Sequence, residues 1–208
     1  MKISVLIPCY NEIKTIGEVV ERVKKNINEG DNIIIVDDFS SDGSRELIEK
    51  INDNQIIKIF HDKNIGKGGA LKTGLASEYL NEIVIIQDAD LEYNPADYKI
   101  LTKPFLETNA DIVYGSRFLG SQSYTRIHFF WHYLANKILT FFCNVVTNLN
   151  MSDMETGYKV FKKDAIKSIN ILERSFGVEP EITIKLAKKK FVFFEVPISY
   201  SGRSYEEG

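Results

Sequence analysis

Residues 1–40 read MKISVLIPCYNEIKTIGEVVERVKKNINEGDNIIIVDDFS, and this stretch decides the fold. It opens on the apolar run Ile3–Ile7 and closes on a second, Asn32–Val36. Between them Ile16, Val19, Val20, Val23 and Ile27 recur at helical spacing. Two near-continuously apolar strands joined by a helix form a βαβ unit of a parallel sheet covered on both faces. The pattern continues. Strands are expected at Ile56–Phe60, Ile83–Gln87 and Asp111–Tyr114, and helices over Ile13–Asn28, Ser44–Ile51, Gly68–Leu80 and Ala96–Thr108. Further on, the spacing predicts a helix over Glu179–Lys189 and a strand over Phe191–Val196, closed by Pro197. The fold class is therefore α/β, with a mostly parallel sheet flanked by helices on both faces. In such sheets ligands bind at the carboxyl ends of the strands.

The 208 residues suit one domain, which would bury on the order of 70% of its unfolded surface and needs no covalent staple. A hydrophobic fraction of 44% with 26% charged residues excludes disorder and collagen-like repeats. A net charge of −3 argues against a nucleic-acid binder. Cys9 and Cys143 stand far apart with no CxxC, which excludes a disulfide framework and a zinc site and fits a reducing cytosol. The opening apolar run meets Pro8 too soon for a signal segment, and no stretch of 18 apolar residues is present. From Ile112 to Ser152 there is no acid, while Arg117, Arg126 and Lys137 stand among nine aromatics from Tyr114 to Phe142.

Three strand ends carry unusual loads: Pro8-Cys9-Tyr10-Asn11-Glu12, Asp37-Asp38-Phe39-Ser40 and Asp88-Ala89-Asp90-Leu91-Glu92. Paired carboxylates directly after a buried strand are costly unless something positive binds there. Helix capping by Asn11, Ser40 or Asp42 accounts for one such loop, not for three. Asp88, Asp90 and Glu92 offer hard oxygen ligands suited to Mg²⁺ or Mn²⁺, with a substrate diphosphate completing the shell. The segment Asn64-Ile65-Gly66-Lys67-Gly68-Gly69-Ala70 lets backbone approach an anion ahead of a helix, yet it is neither a Walker A loop nor a dinucleotide fingerprint.

In this order and spacing, these segments resemble glycosyltransferase family 2. Three later ones narrow the resemblance to the dolichol- or polyprenyl-phosphate sugar transferases within it: Gly115-Ser116-Arg117-Phe118, Asp153-Met154-Glu155-Thr156-Gly157-Tyr158-Lys159, and Glu195-Val196-Pro197 with Gly202–Gly208. The resemblance covers essentially the whole chain. It implies a GT-A (Rossmann-like) fold, with a nucleotide-sugar half over about 1–115 and an acceptor- and membrane-facing half over about 116–208. It also implies a nucleotide-sugar donor, a divalent metal and inversion at the anomeric carbon. Carried over by position, Pro8, Tyr10, Glu12 and Asp37, with Asp38 and Ala89, would line the donor, and Lys67 would lie near the base. Asp88 would sit by ribose and metal, with Asp90 and Glu92 holding the metal; mannose-transferring relatives often have Gln where Glu92 stands.

A sugar hydroxyl needs a general base, but a phosphomonoester, with a second pKa of about 6, is already an anion at neutral pH. A polyprenyl phosphate acceptor therefore needs cations to place it. Arg117, Arg126 and Arg203 are the candidates, because guanidinium holds phosphate in a bidentate fork. Asp153 is the carboxylate expected to face the reacting centre, as orienter or base, which makes Asp90, Asp153, Arg117 and Arg203 the catalytic set. The aromatic, acid-free segment Phe129–Val146 suits an amphipathic element lying on the cytoplasmic face of a membrane; the competing reading packs those aromatics into the core. The Gly66-Lys67-Gly68-Gly69-Ala70 loop tilts the donor towards UDP-glucose over GDP-mannose.

Two rivals remain. One is a transferase acting on a sugar hydroxyl, with Glu179 or Glu181 as its base, although no QxxRW motif begins at Gln55, Gln87 or Gln122. The other is a non-catalytic nucleotide-sugar binder. In the resembling proteins the segment around Arg203–Gly208 runs on into basic residues and often transmembrane helices; here the sequence stops at Gly208, as a truncated or naturally short form. A homo-oligomer is compatible with the sequence, which does not specify one.

Overall fold

The computed structural model describes residues 1–120, 129–175 and 177–202. Its strands are β1 (Ile3–Cys9), β2 (Asn32–Asp37), β3 (Ile56–Phe60), β4 (Ile83–Ile86), β5 (Ile112–Ser116), β6 (Lys159–Lys162) and β7 (Phe193–Pro197). The helices are α1 (Ile16–Lys24), α2 (Ser44–Lys50), α3 (Lys67–Ala76), α4 (Tyr98–Glu107), α5 (Phe130–Thr147), α6 (Lys163–Lys167) and α7 (Val178–Lys188). One sheet runs in the order β3-β2-β1-β4-β6-β5-β7. All neighbouring pairs are parallel except those made by β6, which runs against both β4 and β5.

The apolar strands are buried on both sides because their side chains alternate between two cores. Val5, Ile7, Ile33, Ile35, Ile85 and Val113 face one core, with Ile16, Val19, Val20 and Val23 of α1, Ile48 of α2 and Leu101 of α4. Leu6, Ile34, Val36, Val84, Ile86 and Tyr114 face the other, with Leu71 of α3, Ile166 of α6 and Ile182 and Leu186 of α7. The doubly covered α/β sheet expected from the sequence is present. Boundaries differ. α1 begins at Ile16 rather than Ile13, because the Ile13 amide is drawn into the neighbouring loop by Asp42 (2.9 Å). β6 and α6 are additions that the sequence reading lacks.

Because β6 is reversed, its beginning lies at the same sheet edge as the ends of the other six strands. The loops leaving β1, β2, β4, β5 and β7 therefore meet the loop entering β6 at one edge. Among the described residues, three of the five non-glycine residues with left-handed backbone lie in those loops: Asn11 (φ 54°), Phe39 (φ 67°) and Leu91 (φ 66°). Such strain persists where the surroundings over-determine the backbone, and it clusters at functional sites.

α5 is amphipathic with its polarity inverted. Its buried residues are Asn136, Thr140 and Cys143, and Phe130, Trp131, Ile138, Phe141, Phe142, Val145 and Val146 point outward, Trp131 at 73% exposure. The aromatics of this segment are thus mainly outside rather than in the core. Among the described residues no helix is long and apolar enough to cross a membrane.

Candidate active site

A cleft of about 630 Å³ opens at the carboxyl edge of the sheet. Pro8, Tyr10 and Glu12 line it from the loop after β1, Asp38 from the loop after β2, and Gly66, Lys67 and Ala70 from the glycine segment. Asp88, Ala89, Asp90, Glu92 and Tyr93 follow from the loop after β4, with Arg117 after β5 and Glu155 and Gly157 ahead of β6. Of the residues the sequence assigned to donor and metal, Asp37 alone does not line this cleft. Its fully buried carboxylate accepts from Nε of Arg45 at 2.8 Å, and Arg45 in turn donates to the His61 carbonyl oxygen at 2.6 Å. Asp37 anchors the loop from behind.

Asp38 organises the glycine segment. Its Oδ2 accepts from the Gly66 amide at 2.7 Å and its Oδ1 from the Ile65 amide at 3.0 Å. Oδ1 also meets Nδ1 of His61 at 2.7 Å, and the other ring nitrogen reaches Oγ1 of Thr73 on α3 at 2.9 Å. Gly66 is needed for two reasons: its φ is +85°, and a Cβ would lie 2.1 Å from the Arg174 carbonyl oxygen. A Gly66→Ala variant is expected to lose about 2–3 kcal/mol of stability, read as a lowered urea midpoint with unchanged m-value. A loss under about 0.5 kcal/mol would contradict this packing.

Lys67 sits between two carboxylates, 2.9 Å from Asp88 Oδ1 and 3.0 Å from Glu179 Oε1. Burial alone would lower its pKa, but the two carboxylates outweigh burial and hold it above the ordinary lysine value. The second oxygen of Glu179 is buried and has no hydrogen-bond partner among the described residues. Asp88 is closely walled: a Cβ on Gly157 would stand 2.3 Å from its Oδ2. Its loop is braced by buried Gln87, whose Oε1 accepts from the hydroxyls of Tyr98 (2.8 Å) and Tyr158 (2.7 Å). The hydroxyl of Tyr93 accepts from the Gly157 amide at 2.7 Å, tying the β4 loop to the loop ahead of β6. Asp90 Oδ1 accepts from the Glu92 amide across Leu91 at 3.1 Å, and Glu92 Oε2 accepts from the Tyr200 hydroxyl at 2.8 Å.

The residues at the β4 end fit a divalent ion in one respect and limit it in another. Asp88 already binds a cation, the Lys67 ammonium, so the site is built for positive charge. Among the described residues no three His, Cys, Asp or Glu side chains form a ready metal cage. Asp88 and Asp90 are the candidate donors, which would need ligand oxygens to complete a shell, and Glu92 is committed in part to Tyr200.

At the other wall, Arg117 is clamped by Asp153. Nε and Nη2 donate to the two carboxylate oxygens at 2.7 and 2.8 Å, and the Arg117 amide adds a third bond at 3.0 Å. The guanidinium also lies 5.1 Å from the Tyr200 ring centre. Burial pushes the Asp153 carboxyl up, but the hydrogen bonds and charge of Arg117 outweigh it and hold it below the usual carboxylate range. A carboxylate held low and fully occupied orients its partner; it is a poor base. Asn136 of α5 donates to the same Asp153 at 3.1 Å, and Lys137 donates to the Ser152 carbonyl oxygen at 2.8 Å. Glu181 accepts from the Leu172 and Glu173 amides and from Lys185, and Glu179 holds Lys67 through Oε1 alone. Arg126 and Arg203 lie outside the described residues. Sequence reading missed His61, Tyr93, Glu155 and Tyr200; Glu155, inside a motif already singled out, was the most findable.

The architecture is that of the GT-A fold. The chain matches glucosyl-3-phosphoglycerate synthase from Mycobacterium tuberculosis, solved with Mn²⁺, UDP and glucosyl-3-phosphoglycerate, with a TM-score of 0.74. Identity is 18%, over 99% of this chain and 74% of that one, a likeness of fold. Glycosyl transferase family 2 matches residues 4–169, and the chain belongs to that family. It is 33% identical over 206 residues to an uncharacterized protein of Methanocaldococcus jannaschii, covering 95% of this chain and 80% of the relative. It is 30% identical over 214 residues to UDP-N-acetylglucosamine–dolichyl-phosphate N-acetylglucosaminyltransferase of Methanococcus voltae, covering 94% and 84%.

Proposed function

We propose that this chain transfers a hexose from a nucleotide sugar to a polyprenyl phosphate at the cytoplasmic face of a membrane. The observation that carries the reading is α5: the helix with the outward apolar face donates, through Asn136, to the carboxylate that clamps Arg117. A lipid tail running along α5 brings its phosphate to that arginine. An acid-free, aromatic helix surface suits a bilayer interface. The dolichyl-phosphate transferase relative supports the acceptor class, and the UDP and Mn²⁺ of the solved neighbour support the donor and the ion.

In this reaction an acceptor phosphate oxygen attacks the anomeric carbon, the bond from that carbon to the diphosphate breaks, and nucleoside diphosphate leaves with inversion. Asp88 and Asp90, with Glu92 beside them, would hold a divalent ion, which when bound would supply Lewis-acid stabilisation to the departing diphosphate. Arg117 has further N–H groups beyond the two given to Asp153, and these orient the acceptor phosphate; Arg126 and Arg203 are proposed to share this task. The acceptor arrives ionised, which agrees with Asp153 and Glu181 being engaged by Arg117 and Lys185.

Two measurements test the reading. Thermal shift with UDP, GDP, CDP and dTDP, each with Mn²⁺ and with EDTA, is expected to give a metal-dependent rise for one nucleotide, UDP being favoured. A ligand at 100 times its dissociation constant adds about 2.7 kcal/mol, a rise of roughly 5–11 °C at this size. With labelled nucleotide sugar and polyprenyl phosphate, label is expected in the organic phase. Label that moves only into aqueous product would replace the lipid acceptor by a sugar hydroxyl.

A further inference from the structure

We propose that Glu155 binds the hydroxyl groups of the donor sugar and sets which sugar the cleft accepts. The inference rests on the nucleotide-sugar reading above and deepens it.

The other carboxylates lining the cleft are already engaged. Asp38 holds the Ile65 and Gly66 amides, Asp88 holds Lys67, and Glu12 accepts from Oγ1 of Thr15 at 2.8 Å. Asp90 and Glu92 are tied into their own loop and to Tyr200. Glu155, half-buried in the cleft wall, makes no hydrogen bond or ion pair with any described residue. Neither nearby cation forms an ion pair with it: Arg117 is paired with Asp153, and buried Lys159 donates to the Thr156 carbonyl oxygen. Its carboxylate is open to the cleft, so a ligand entering there meets an acceptor that no described residue occupies.

Its position says which part of the ligand. Glu155 stands two residues before Gly157, which lies against Asp88, and two residues after Asp153, which clamps Arg117. The diphosphate belongs with Asp88 and Asp90, and the attacking phosphate with Arg117. The sugar ring must lie between them, where Glu155 projects. A carboxylate is a pure acceptor with two oxygens, matched to adjacent sugar hydroxyls. Burial raises the carboxyl's pKa while the charge of Lys159 opposes the rise, consistent with a group awaiting polar company.

The test is calorimetry of UDP, UDP-glucose, UDP-galactose and UDP-N-acetylglucosamine with Mn²⁺, on the wild type, Glu155→Gln and Glu155→Ala. UDP affinity is expected to stay within about twofold in all three. Affinity for the preferred UDP-sugar relative to UDP should fall about 10- to 100-fold in Glu155→Ala. Glu155→Gln should fall less, and discrimination among the three sugars should shrink. Because no internal contact is lost, the ligand-free thermal midpoint should hold or rise. An unchanged UDP-sugar to UDP ratio with intact UDP binding overturns this inference alone, as does a midpoint lowered by several degrees in both variants. Failure of the wild type to bind UDP, GDP, CDP or dTDP with Mn²⁺ overturns the nucleotide-sugar reading, and this inference with it.

Discussion

Asp90→Ala is expected to lower hexose transfer by about 10³-fold or more. The loss corresponds to roughly 4 kcal/mol of transition-state stabilisation, the scale on which an ion beside a departing diphosphate acts. Alanine also removes the acceptor for the Glu92 amide, so part of any effect would come from a loosened loop. Asp90→Asn separates the two causes, since the amide oxygen keeps the hydrogen bond while the negative charge is gone. The Asn variant should fold with a midpoint close to wild type and lose nearly as much turnover as Ala. Titration of Mn²⁺ in the presence of UDP should weaken in parallel. Turnover within tenfold of wild type in the Asn variant would remove Asp90 from the metal-binding role and favour a site built on Asp88 alone.

The largest effect on stability is expected at Asp153. It is fully buried, accepts three bonds from Arg117 and one from Asn136, and removing it leaves a largely buried guanidinium without its counter-charge. Asp153→Ala should cost about 3–5 kcal/mol, which at this chain length is a fall in thermal midpoint of roughly 6–20 °C. Replacing both partners, Arg117→Met with Asp153→Leu, should recover most of the loss, because no unpaired charge remains. The double variant should still fail to transfer sugar to a lipid phosphate. The pH dependence has a definite sign. The folded carboxyl titrates below its unfolded value, so the contribution is complete above the ordinary carboxylate range and is lost as pH falls through the folded pKa. Asp153→Ala should therefore show a shallower acid-side decline in stability than wild type. An equal decline, or a double variant no more stable than the single, would mean that the pair adds nothing to the fold.

The part of the cleft built on β1, β2 and β4 was legible because its signals are local. Val5–Ile7 and Ile33–Val36 are unbroken apolar runs, and the loops with their carboxylates follow close behind in sequence. The wall around Arg117 depends on distant residues meeting. Nothing near Lys159–Lys162 announces a strand: it is four residues long and lysine-bounded, and Lys159 is buried, with its pKa brought down to about 8 by that burial. The partnership of Arg117 with Asp153 spans 36 residues, and that of Glu92 with Tyr200 spans 108. Tertiary geometry alone makes such pairs. Asp37 shows the converse. Its place beside Asp38 made the two look equivalent, yet alternation along β2 turns one toward Arg45 and the other toward the cleft. In α5 the aromatic pattern marked an amphipathic helix, but the pattern could not say which face the protein would keep. The buried stripe of Asn136, Thr140 and Cys143 answers that.

The reversed strand β6 has a consequence for how the chain is made. On the ribosome, β1 to β4 emerge early and can assemble in order, but the free side of β4 must wait for β6, which is synthesised long afterwards. β5 waits too, because β6 is its bridge to β4. Through that interval the nascent sheet carries unpaired backbone along β4, the kind of edge that recruits other strands. A chain cut anywhere before Lys159 would keep this edge permanently. Such fragments should therefore aggregate rather than persist as small soluble nucleotide binders, and a chaperone that shields the edge of β4 would matter most just before β6 appears.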